Sequence, residues 1–380
     1  MYIWKNFVHR WEVNIIFIRN ISAEQIFEIE NSCIVDLRSE SEYKNGTIYG
    51  AMNIPILNDK EREEVGYVYV NKSVCEAKKL GLKYAGYKLE SIFEKISHEF
   101  SLNKNMILFC ARGGMRSLSV HNLFNSIGIK NYKLDKGYKG YRKFLRDKFP
   151  EILQKINFVV IHGKTGIGKT KVLNMLKNEG YPVIDLEFAA NHRASFLGGV
   201  NLGEQNSQKQ FESIVFHKVM EIVGNKRFSE NEKINVFIEG ESKRIGKIII
   251  PEYIFSAMND GIHICVDLPI DVRVKNLMED YFKIDEDSLK RKDYEVRKNI
   301  LDDFENNMFF LQKYSSKNDM QRYFSLFKEK KYEELAVSLI ENYYDSKYIN
   351  SMKKHEFKFN LEVSTIDEFL NEMKKIYDYV

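Results

Sequence analysis

The sequence predicts an α/β protein with two layered domains, each built on parallel strands, followed by a mainly helical region. Short apolar runs alternate with amphipathic stretches as far as Val266, a pattern typical of strands joined by helices. All 21 glycines lie at or before Gly261, and the only later proline is Pro269, so the C-terminal part has few helix breakers. The predicted strands are Cys33–Leu37, Met106–Phe109, Asn131–Leu134, Phe158–Ile161, Pro182–Ile184, Ile234–Ile238 and Ile262–Val266.

Length and composition are those of a multi-domain globular protein. The chain has 380 residues, of which 44% are hydrophobic and 29% charged, and its formal net charge of +4 does not by itself indicate a nucleic-acid partner. The sequence has neither a long apolar run nor a recognisable leader, so we expect a cytoplasmic protein without a membrane partner. The four cysteines form no CxxC pair, which disfavours disulfides and a zinc ribbon, and no metal site is predicted.

Changes in composition place the expected domain boundaries. We expect a first α/β domain over residues 21–149, a phosphate-binding α/β domain over 157–267, and a mainly helical C-terminal region over 268–380. The basic helical segment Gly137–Ile156, which contains Pro150, is the expected joint between the first two domains. The sequence does not specify the oligomeric state.

One cysteine follows the second predicted strand directly, in a loop before the predicted helix Leu118–Ile127. Loops of this kind bind anions through backbone N–H groups and the start of the next helix, and they keep a thiolate populated. A cysteine after an apolar strand is more often a small buried hydrophobe. Here the flanking glycines and arginines have no packing purpose, so we interpret Cys110 as catalytic and the arginines as ligands of a tetrahedral oxyanion. The loop residues are Arg112, Gly113, Gly114 and Arg116.

The first domain resembles the rhodanese family over about residues 21–149. The resemblance is carried by Cys110, by Asp36 and Arg38, and by a stretch that contains Glu42, Tyr43, Gly46, Ile48, Gly50, Ala51, Asn53, Ile54 and Pro55. It implies a persulfide carried on Cys110, with Asp36 and Arg38 belonging to the donor-binding loop. Arg116 stands six residues after Cys110, which is the spacing of dual-specificity phosphatases, so a phosphatase stays open. Against that alternative, Phe109 stands where those phosphatases have a histidine.

A phosphate-binding motif follows the fourth predicted strand. The pattern GxxxxGK[ST] stands between Phe158–Ile161 and the predicted helix Lys171–Lys177, which is the context that the motif requires. Its backbone N–H groups surround a di- or triphosphate, Lys169 supplies a positive charge, and the Thr170 hydroxyl is a candidate Mg²⁺ ligand. The motif leaves the bound molecule open. Its residues are Gly163, Lys164, Thr165, Gly166, Ile167, Gly168, Lys169 and Thr170.

Polar residues that follow two other predicted strands, Pro182–Ile184 and Ile234–Ile238, are candidates for the surroundings of the phosphate site. Asp185 and Glu239 are both placed to hold a metal ion, but neither matches an NTPase cleanly. His192 and Arg193 have two interpretations. They either contact a leaving phosphate or RNA, or they are an ordinary helix cap and a solvated charge. The candidates are Asp185, Glu187, His192, Arg193, Glu239, Glu241 and Arg244.

The combination of both loops resembles the tRNA 2-selenouridine synthase family, in which a rhodanese domain precedes a P-loop domain. The resemblance implies S-geranylation of 2-thiouridine in tRNA with geranyl diphosphate, then replacement of the geranylthio group by selenium from selenophosphate. It implies no tightly bound cofactor, Mg²⁺ as an optional ion, tRNA as partner and an enzyme that supplies selenophosphate. Residues 1–20 extend beyond the expected start. Further residues that carry the resemblance are Leu57, Asn58, Asp59, Arg62, Val65, Gly66, Tyr69, Ala190, Asn191, Ser195, Ser242, Ile245 and Gly246.

Two other functions stay open. One is a P-loop NTPase or kinase fused to a rhodanese-like phosphatase, and the other is a sulfur-relay protein that catalyses no change in RNA. Basic residues of the joint, Lys139 to Lys148, are candidate tRNA contacts, although charge runs are more often solvated faces. Further candidates are the tail residues Lys290, Arg291, Lys292, Arg297 and Lys298 for tRNA, and Phe188, Phe196 and Leu197 for an apolar channel.

Overall fold

The computed structural model describes residues 19–99, 105–195, 198–199, 202–224, 232–282, 305–346, 348 and 355–380. The chain forms two compact units that divide between Lys148 and Phe149. Several sequence predictions concern residues outside the described ranges: the expected N-terminal extension up to residue 18, Phe196, Leu197, and the basic tail residues Lys290, Arg291, Lys292, Arg297 and Lys298.

The first unit is built on a five-stranded parallel sheet with the order β1-β5-β4-β2-β3. Its central strand β4 is buried from Met106 to Phe109, as expected for a parallel sheet covered on both faces. The register pairs Asp36 at the end of β2 with Phe109 at the end of β4. The strands are β1 (Asn20–Ile21), β2 (Ser32–Asp36), β3 (Met52–Asn53), β4 (Asn105–Phe109) and β5 (Asn131–Leu134).

Helices pack against this sheet, and local sequence signals explain where several of them begin. Asn58 accepts a hydrogen bond from the Glu61 backbone, and the Glu61 carboxylate accepts one from the Asn58 backbone, so the two residues form a capping box for α2. A 3₁₀ turn covers Gln25–Phe27. The helices are α1 (Glu40–Lys44), α2 (Asp59–Asn71), α3 (Val74–Gly86), α4 (Leu89–Glu99), α5 (Met115–Ser126) and α6 (Gly137–Leu153).

The second unit contains another five-stranded parallel sheet, with the order β12-β11-β6-β8-β7, and a short antiparallel hairpin of β9 and β10. Because the strands are parallel, the carboxyl ends of β6, β7 and β8 meet at one edge. The strands are β6 (Ile156–Gly163), β7 (Val183–Ile184), β8 (Ile234–Glu239), β9 (Arg244–Ile245), β10 (Ile248–Ile249), β11 (Ile262–Asp267) and β12 (Phe359–Glu362). The helices that accompany them are α7 (Lys169–Asn178), α8 (Leu186–Ala190), α9 (Gln208–Val223), α10 (Glu252–Asn259) and α11 (Ile270–Phe282).

The C-terminal part is mainly helical, as predicted, but one strand within it was not predicted. β12 pairs with β11, with Ile264 opposite Phe359. The final helix packs Phe369 and Met373 into the core of the same sheet. The end of the chain therefore completes the phosphate-binding layer. The helical elements of this part are Phe309–Lys313, Lys317–Lys328, Tyr332–Leu339, the π-helical turn Ile340–Tyr344, and Ile366–Tyr379.

The predicted α/β class is confirmed, and each of the seven predicted strands is present within two residues of its expected bounds. The basic segment of the joint forms α6, which buries Tyr141, Leu145 and Phe149 and leaves Lys139 and Lys143 exposed. Over the described ranges, no helix is both long enough and apolar enough to cross a bilayer.

Candidate functional site

Cys110 lies at the end of β4, immediately before the loop that leads into α5. The residue is 3% exposed, its Sγ lies 3.3 Å from Ser117 Oγ, and it makes a weak 4.0 Å contact with the Gly114 carbonyl oxygen. Met115 begins α5, so the sulfur lies at the N-terminus of a 12-residue helix. The N–H groups and the positive end of such a helix stabilise an anion.

The start of α6 holds this loop in place. Tyr138 N–H donates to the Cys110 carbonyl (2.9 Å), and Lys139 N–H donates to the Ala111 carbonyl (3.0 Å). Gly137 has φ +53°, and a Cβ added there would lie 2.1 Å from the Cys110 carbonyl oxygen. The sequence analysis missed this role of Gly137 because nothing within its own segment indicates the close approach. A glycine is required there for the loop and α6 to meet.

Arg116 is anchored beside the cysteine loop by a carboxylate. Its two terminal nitrogens donate to the two carboxylate oxygens of Glu42 at 2.7 and 3.3 Å. Burial alone would raise the pKa of Glu42, but the hydrogen bond and charge of Arg116 hold that pKa below its usual value. Arg112, the other arginine of the loop, is exposed. The two arginines therefore differ: one guanidinium is fixed and the other extends toward solvent.

Asp36 and Arg38 form a buried pair at the end of β2. Arg38 donates to both oxygens of Asp36, from Nε at 2.9 Å and from a terminal nitrogen at 2.6 Å, and Thr47 adds a third bond to the carboxylate at 2.9 Å. The Arg38 guanidinium also lies 3.9 Å from the centroid of the Tyr138 ring. These contacts fix the end of β2 and the side chain of Tyr138, the residue whose N–H donates to the Cys110 carbonyl. The role of Asp36 and Arg38 in binding the donor stays a prediction, since the contacts described above only hold the protein together.

The predicted phosphate-binding loop connects β6 to α7 in the second unit. Gly166 and Gly168 have φ values of +85° and +81°, conformations that favour glycine. A Cβ at Gly163 would lie 2.1 Å from Ile167 Cδ1 and 2.5 Å from the Val266 carbonyl oxygen. The glycines of the motif are therefore required by the fold of the loop as well as by any ligand.

Two side chains of α11 brace this loop, and the sequence analysis predicted neither of them. Arg273 Nε donates to the Thr165 carbonyl (2.9 Å), and Asn276 Nδ2 donates to the Gly166 carbonyl (2.8 Å). Arg273 is 3% exposed and binds both carboxylate oxygens of Asp345 at 3.0 and 2.5 Å. The brace therefore links the loop to the helical part of the unit.

Lys169 points back across the loop. Its Nζ donates to the Gly163 carbonyl (3.4 Å) and to the Tyr348 hydroxyl (3.2 Å). Burial alone would lower the pKa of Lys169, but its interactions with Tyr348, Glu241 and Glu187 raise that pKa above the ordinary value. The ammonium is therefore charged at neutral pH. Tyr348 was not predicted from the sequence.

Acidic side chains surround the mouth of the loop. Thr170 Oγ1 donates to Glu187 Oε2 (2.8 Å), and the other Glu187 oxygen accepts from the Ala194 N–H (2.7 Å). Burial raises the pKa of Glu241 to about 8, an effect that Lys169 opposes and Glu187 reinforces. The Glu241 carboxyl therefore keeps its proton to a higher pH than an ordinary glutamate.

The remaining two acids accept hydrogen bonds from backbone N–H groups of α8. Glu239 is fully buried, and one of its oxygens accepts from the Leu186 N–H (3.0 Å). Burial raises its pKa well above the usual value, and the nearby Asp185 and Glu187 reinforce that rise. Asp185 caps α8 by accepting from the Phe188 N–H (2.7 Å). Neither side chain resembles the freely ionised aspartate that holds the metal of an NTPase.

A pocket of about 110 Å³ opens at the phosphate loop, and its walls include Glu187, Arg193, Glu241 and Tyr348. His192 lies beside it, and within the described ranges its Nδ1 is buried without a hydrogen-bond partner. The other candidates lie elsewhere. Arg244 is exposed in β9 and is not among the residues that line this pocket, so its role near the phosphate site stays a prediction. Phe188, predicted to line an apolar channel, is 57% exposed.

Comparison with known proteins connects the two loops to one family. The model of the tRNA 2-selenouridine synthase AAA domain matches residues 156–376, which is more than half of the chain. The chain belongs to the tRNA 2-selenouridine synthase family. The model of the rhodanese-like domain matches residues 21–144, so the rhodanese domain followed by a P-loop domain, predicted from the sequence, is also confirmed. The synthase-family match extends to residue 376, and thus includes β12 and most of the final helix.

Individual members of the synthase family align with about two thirds of this chain. The tRNA 2-selenouridine synthase of Nitrosomonas europaea is 33% identical over 254 residues, covering 67% of this chain but only 64% of that relative. The tRNA 2-selenouridine synthase of Bdellovibrio bacteriovorus is 32% identical over 267 residues, covering 70% and 69% of the two chains. Among solved structures, an N-terminal domain from Clostridium difficile 630 is 40% identical over 33% of this chain and 97% of that domain, with a TM-score of 0.32.

Proposed function

We propose that this protein converts 2-thiouridine in tRNA into 2-selenouridine in two steps, each at its own anion site. The observation that carries the proposal is the presence of two different anion sites in one chain of this family. One is a thiol at a helix N-terminus beside Arg116, suited to a single tetrahedral anion. The other is a phosphate loop with a charged lysine, suited to a diphosphate.

The first step is geranylation at the phosphate loop. The sulfur of 2-thiouridine attacks C1 of geranyl diphosphate, the C–O bond to the diphosphate breaks, and the base loses its N3 proton. Negative charge grows on the leaving diphosphate as that bond breaks. Lys169 and the N–H groups at the start of α7 are positioned to stabilise this charge, and Arg193 lines the same pocket. The protein therefore needs no residue that positions a hydrolytic water.

The oxygen donors at the mouth of the loop fit Mg²⁺. The Thr170 hydroxyl and the Glu187 carboxylate lie 2.8 Å apart, and oxygen ligands of this type are the ones that Mg²⁺ takes in phosphate sites. When bound there, Mg²⁺ would supply further positive charge to the diphosphate. Nucleotide hydrolysis is a weaker alternative for this site because Glu239 is buried against the Leu186 N–H and the Asp185 carboxylate caps α8.

The second step takes place at the Cys110 loop. S-geranyl-2-thiouridine, selenophosphate and water give 2-selenouridine, geranylthiol and phosphate, a balance that needs no oxidant or reductant. The loop N–H groups and Arg116 bind the phosphate oxygens of selenophosphate while its selenium, already at the selenide level, adds to C2 of the base and the C2–S bond breaks. The Cys110 thiol donates a proton to the leaving geranylthiolate and regains one from the water that takes the phosphoryl group, so that geranylthiol and phosphate are released. Lys139 and Lys143 are exposed and lie in the first two turns of α6, the part of the helix whose backbone holds the cysteine loop. They are proposed to bind tRNA phosphates.

Separating the two half-reactions tests this assignment. Lys169→Ala is expected to lose formation of S-geranyl-2-thiouridine and yet to convert pre-geranylated tRNA, whereas Cys110→Ser is expected to geranylate and fail to introduce selenium. Lys375→Ala and Cys75→Ser are the control variants, because Lys375 pairs with Glu372 at the surface of the final helix and Cys75 is exposed. Loss of both half-reactions in either folded variant, or ATP turnover that tRNA stimulates, would overturn the proposal.

A further inference from the structure

Three histidines that are far apart in the sequence lie together in the second unit. His162 precedes the first glycine of the phosphate loop in β6, His263 lies in the neighbouring strand β11, and His355 lies shortly before β12. Their candidate ligand nitrogens all lie within 4.8 Å of one another. In the described part of the chain, no other set of three histidine, cysteine or acidic side chains meets the same condition.

The distances between the histidine side chains in this cluster are close to those between the ligands of a metal ion. His162 Nε2 lies 2.8 Å from His263 Nδ1, and the ring centroids of His355 lie 4.8 and 4.7 Å from those of the other two histidines. A tetrahedral ion with Zn–N bonds of 2.0–2.1 Å holds its ligand nitrogens about 3.3 Å apart. Small side-chain adjustments therefore convert the observed cluster into a three-nitrogen ligand set.

The second nitrogen of His263 has the partner that metal-binding histidines usually have. His263 Nε2 lies 3.1 Å from the Asn259 carbonyl oxygen, so Nε2 carries the proton and Nδ1 presents its lone pair toward His162. A backbone carbonyl in this position fixes the tautomer and the orientation of a metal ligand. In the metal-free protein His162 Nε2 then donates to His263 Nδ1. Metal binding requires the other tautomer of His162, with the proton on Nδ1.

The surrounding chain makes room for the cluster and leaves it accessible. A Cβ at Gly240 would lie 2.4 Å from His162 Nδ1, so the absence of a side chain at that position allows the ring to fit. A solvent-accessible cavity reaches the cluster and is lined by His263, His355 and Glu356, among others. This cavity provides an entry path and space for a water molecule as a fourth ligand.

We propose that His162, His263 and His355 bind a divalent transition-metal ion of the zinc class. Imidazole ligands suit such an ion, whereas the Mg²⁺ considered at Thr170 prefers oxygen donors, so the two sites select different metals. The ion would fasten β6, β11 and the approach to β12 to one another, one residue from the phosphate loop. It therefore has a structural role that does not depend on the proposed tRNA chemistry.

Cobalt binding to the full chain tests the site. Tag-free protein is stripped with a chelator and titrated with Co²⁺, whose visible absorption reports tetrahedral coordination, and Zn²⁺ is then added as competitor. We expect one Co²⁺ per wild-type chain, displaced by Zn²⁺, and affinity at least about tenfold weaker in His263→Gln and in His355→Asn. His217→Gln, a buried histidine of α9 outside the cluster, is the matched control and is expected to bind like wild type.

Zn²⁺ is also expected to raise the Tm of the wild type and of His217→Gln but not that of His355→Asn. Because His355 is only half-buried, its asparagine variant is expected to fold. Binding of less than one Co²⁺ per wild-type chain, or equal affinity in folded His355→Asn and wild type, would overturn the proposal. The titration contains neither tRNA nor a diphosphate, so its outcome is independent of the proposed enzymatic function.

Discussion

A single methyl group at Gly137 is expected to disrupt the Cys110 site. The Cβ of Gly137→Ala would lie 2.1 Å from the Cys110 carbonyl oxygen and 2.5 Å from the Gly113 nitrogen, whereas ordinary van der Waals contacts of a Cβ begin at 3.4 Å. The loop and the start of α6 must therefore separate by about 1 Å. The left-handed backbone at φ +53° costs alanine about 1 kcal/mol, and the forced separation adds roughly 1–3 kcal/mol. We expect a loss of about 2–4 kcal/mol in the free energy of unfolding of the first unit.

Gly128→Ala isolates the backbone contribution. Gly128 has φ +82°, and a Cβ there meets no described atom within 4 Å, so its alanine variant is expected to lose only about 1 kcal/mol. Hydrogen exchange of the peptides that cover β4 and α5, measured against urea concentration, gives the free energy of unfolding of this unit. Selenium incorporation from pre-geranylated tRNA should fall in Gly137→Ala alone. If the two variants lose the same free energy, the close approach of α6 to the cysteine loop does not stabilise the site.

The remaining predictions concern the phosphate loop. Tyr348→Phe removes the hydroxyl that binds Lys169 Nζ, and a bound diphosphate must displace that hydroxyl. Calorimetry should therefore show that the variant binds pyrophosphate about fivefold more tightly than the wild type, whereas the control Tyr377→Phe should bind it equally. Equal or weaker binding by Tyr348→Phe would show that Tyr348 does not compete with the diphosphate for Lys169. Glu241 has a pKa raised to about 8, so it gains charge beside Lys169 as pH rises from 7 to 9, and affinity for pyrophosphate should fall over that range relative to Glu241→Gln. Because the pKa of Glu241 is higher in the folded than in the unfolded protein, its contribution to the free energy of unfolding is complete below the unfolded pKa of about 4.5 and is lost as pH rises through about 8. Chemical denaturation at several pH values should therefore show a smaller decrease in the free energy of unfolding for Glu241→Gln than for the wild type. Parallel pH profiles of the two proteins would refute the assignment.

Local sequence patterns were sufficient to predict seven of the twelve strands in the described part of the chain, and the positions of the two glycine-containing loops. Apolar runs bounded by turn residues determine a buried parallel strand almost by themselves, as for Met106–Phe109. The phosphate loop follows from a motif whose glycines are required by its own backbone, such as Gly166 and Gly168. These features depend on neighbours in the chain, and the sequence therefore reveals them directly.

Features that depend on distant contacts were not predictable in the same way. β12 has four residues with alternating partial burial, and its pairing with β11 rather than local propensity makes it a strand. Tyr348 reaches Lys169 from 179 positions further along the chain, and Arg273 reaches Thr165 from 108. The three histidines likewise come from two neighbouring strands and from the segment before a third, and they have no common spacing. Such residues become recognisable only when the fold brings them together.

The most direct test of the two-site account is the set of nucleosides that the purified full chain produces. The protein is incubated with tRNA that carries 2-thiouridine, with geranyl diphosphate and selenophosphate, and without any nucleotide, and the digested tRNA is analysed by liquid chromatography and mass spectrometry. The account predicts S-geranyl-2-thiouridine when selenophosphate is omitted and 2-selenouridine when both substrates are present. Unchanged 2-thiouridine under these conditions, or a product that appears only when ATP is added, would contradict it.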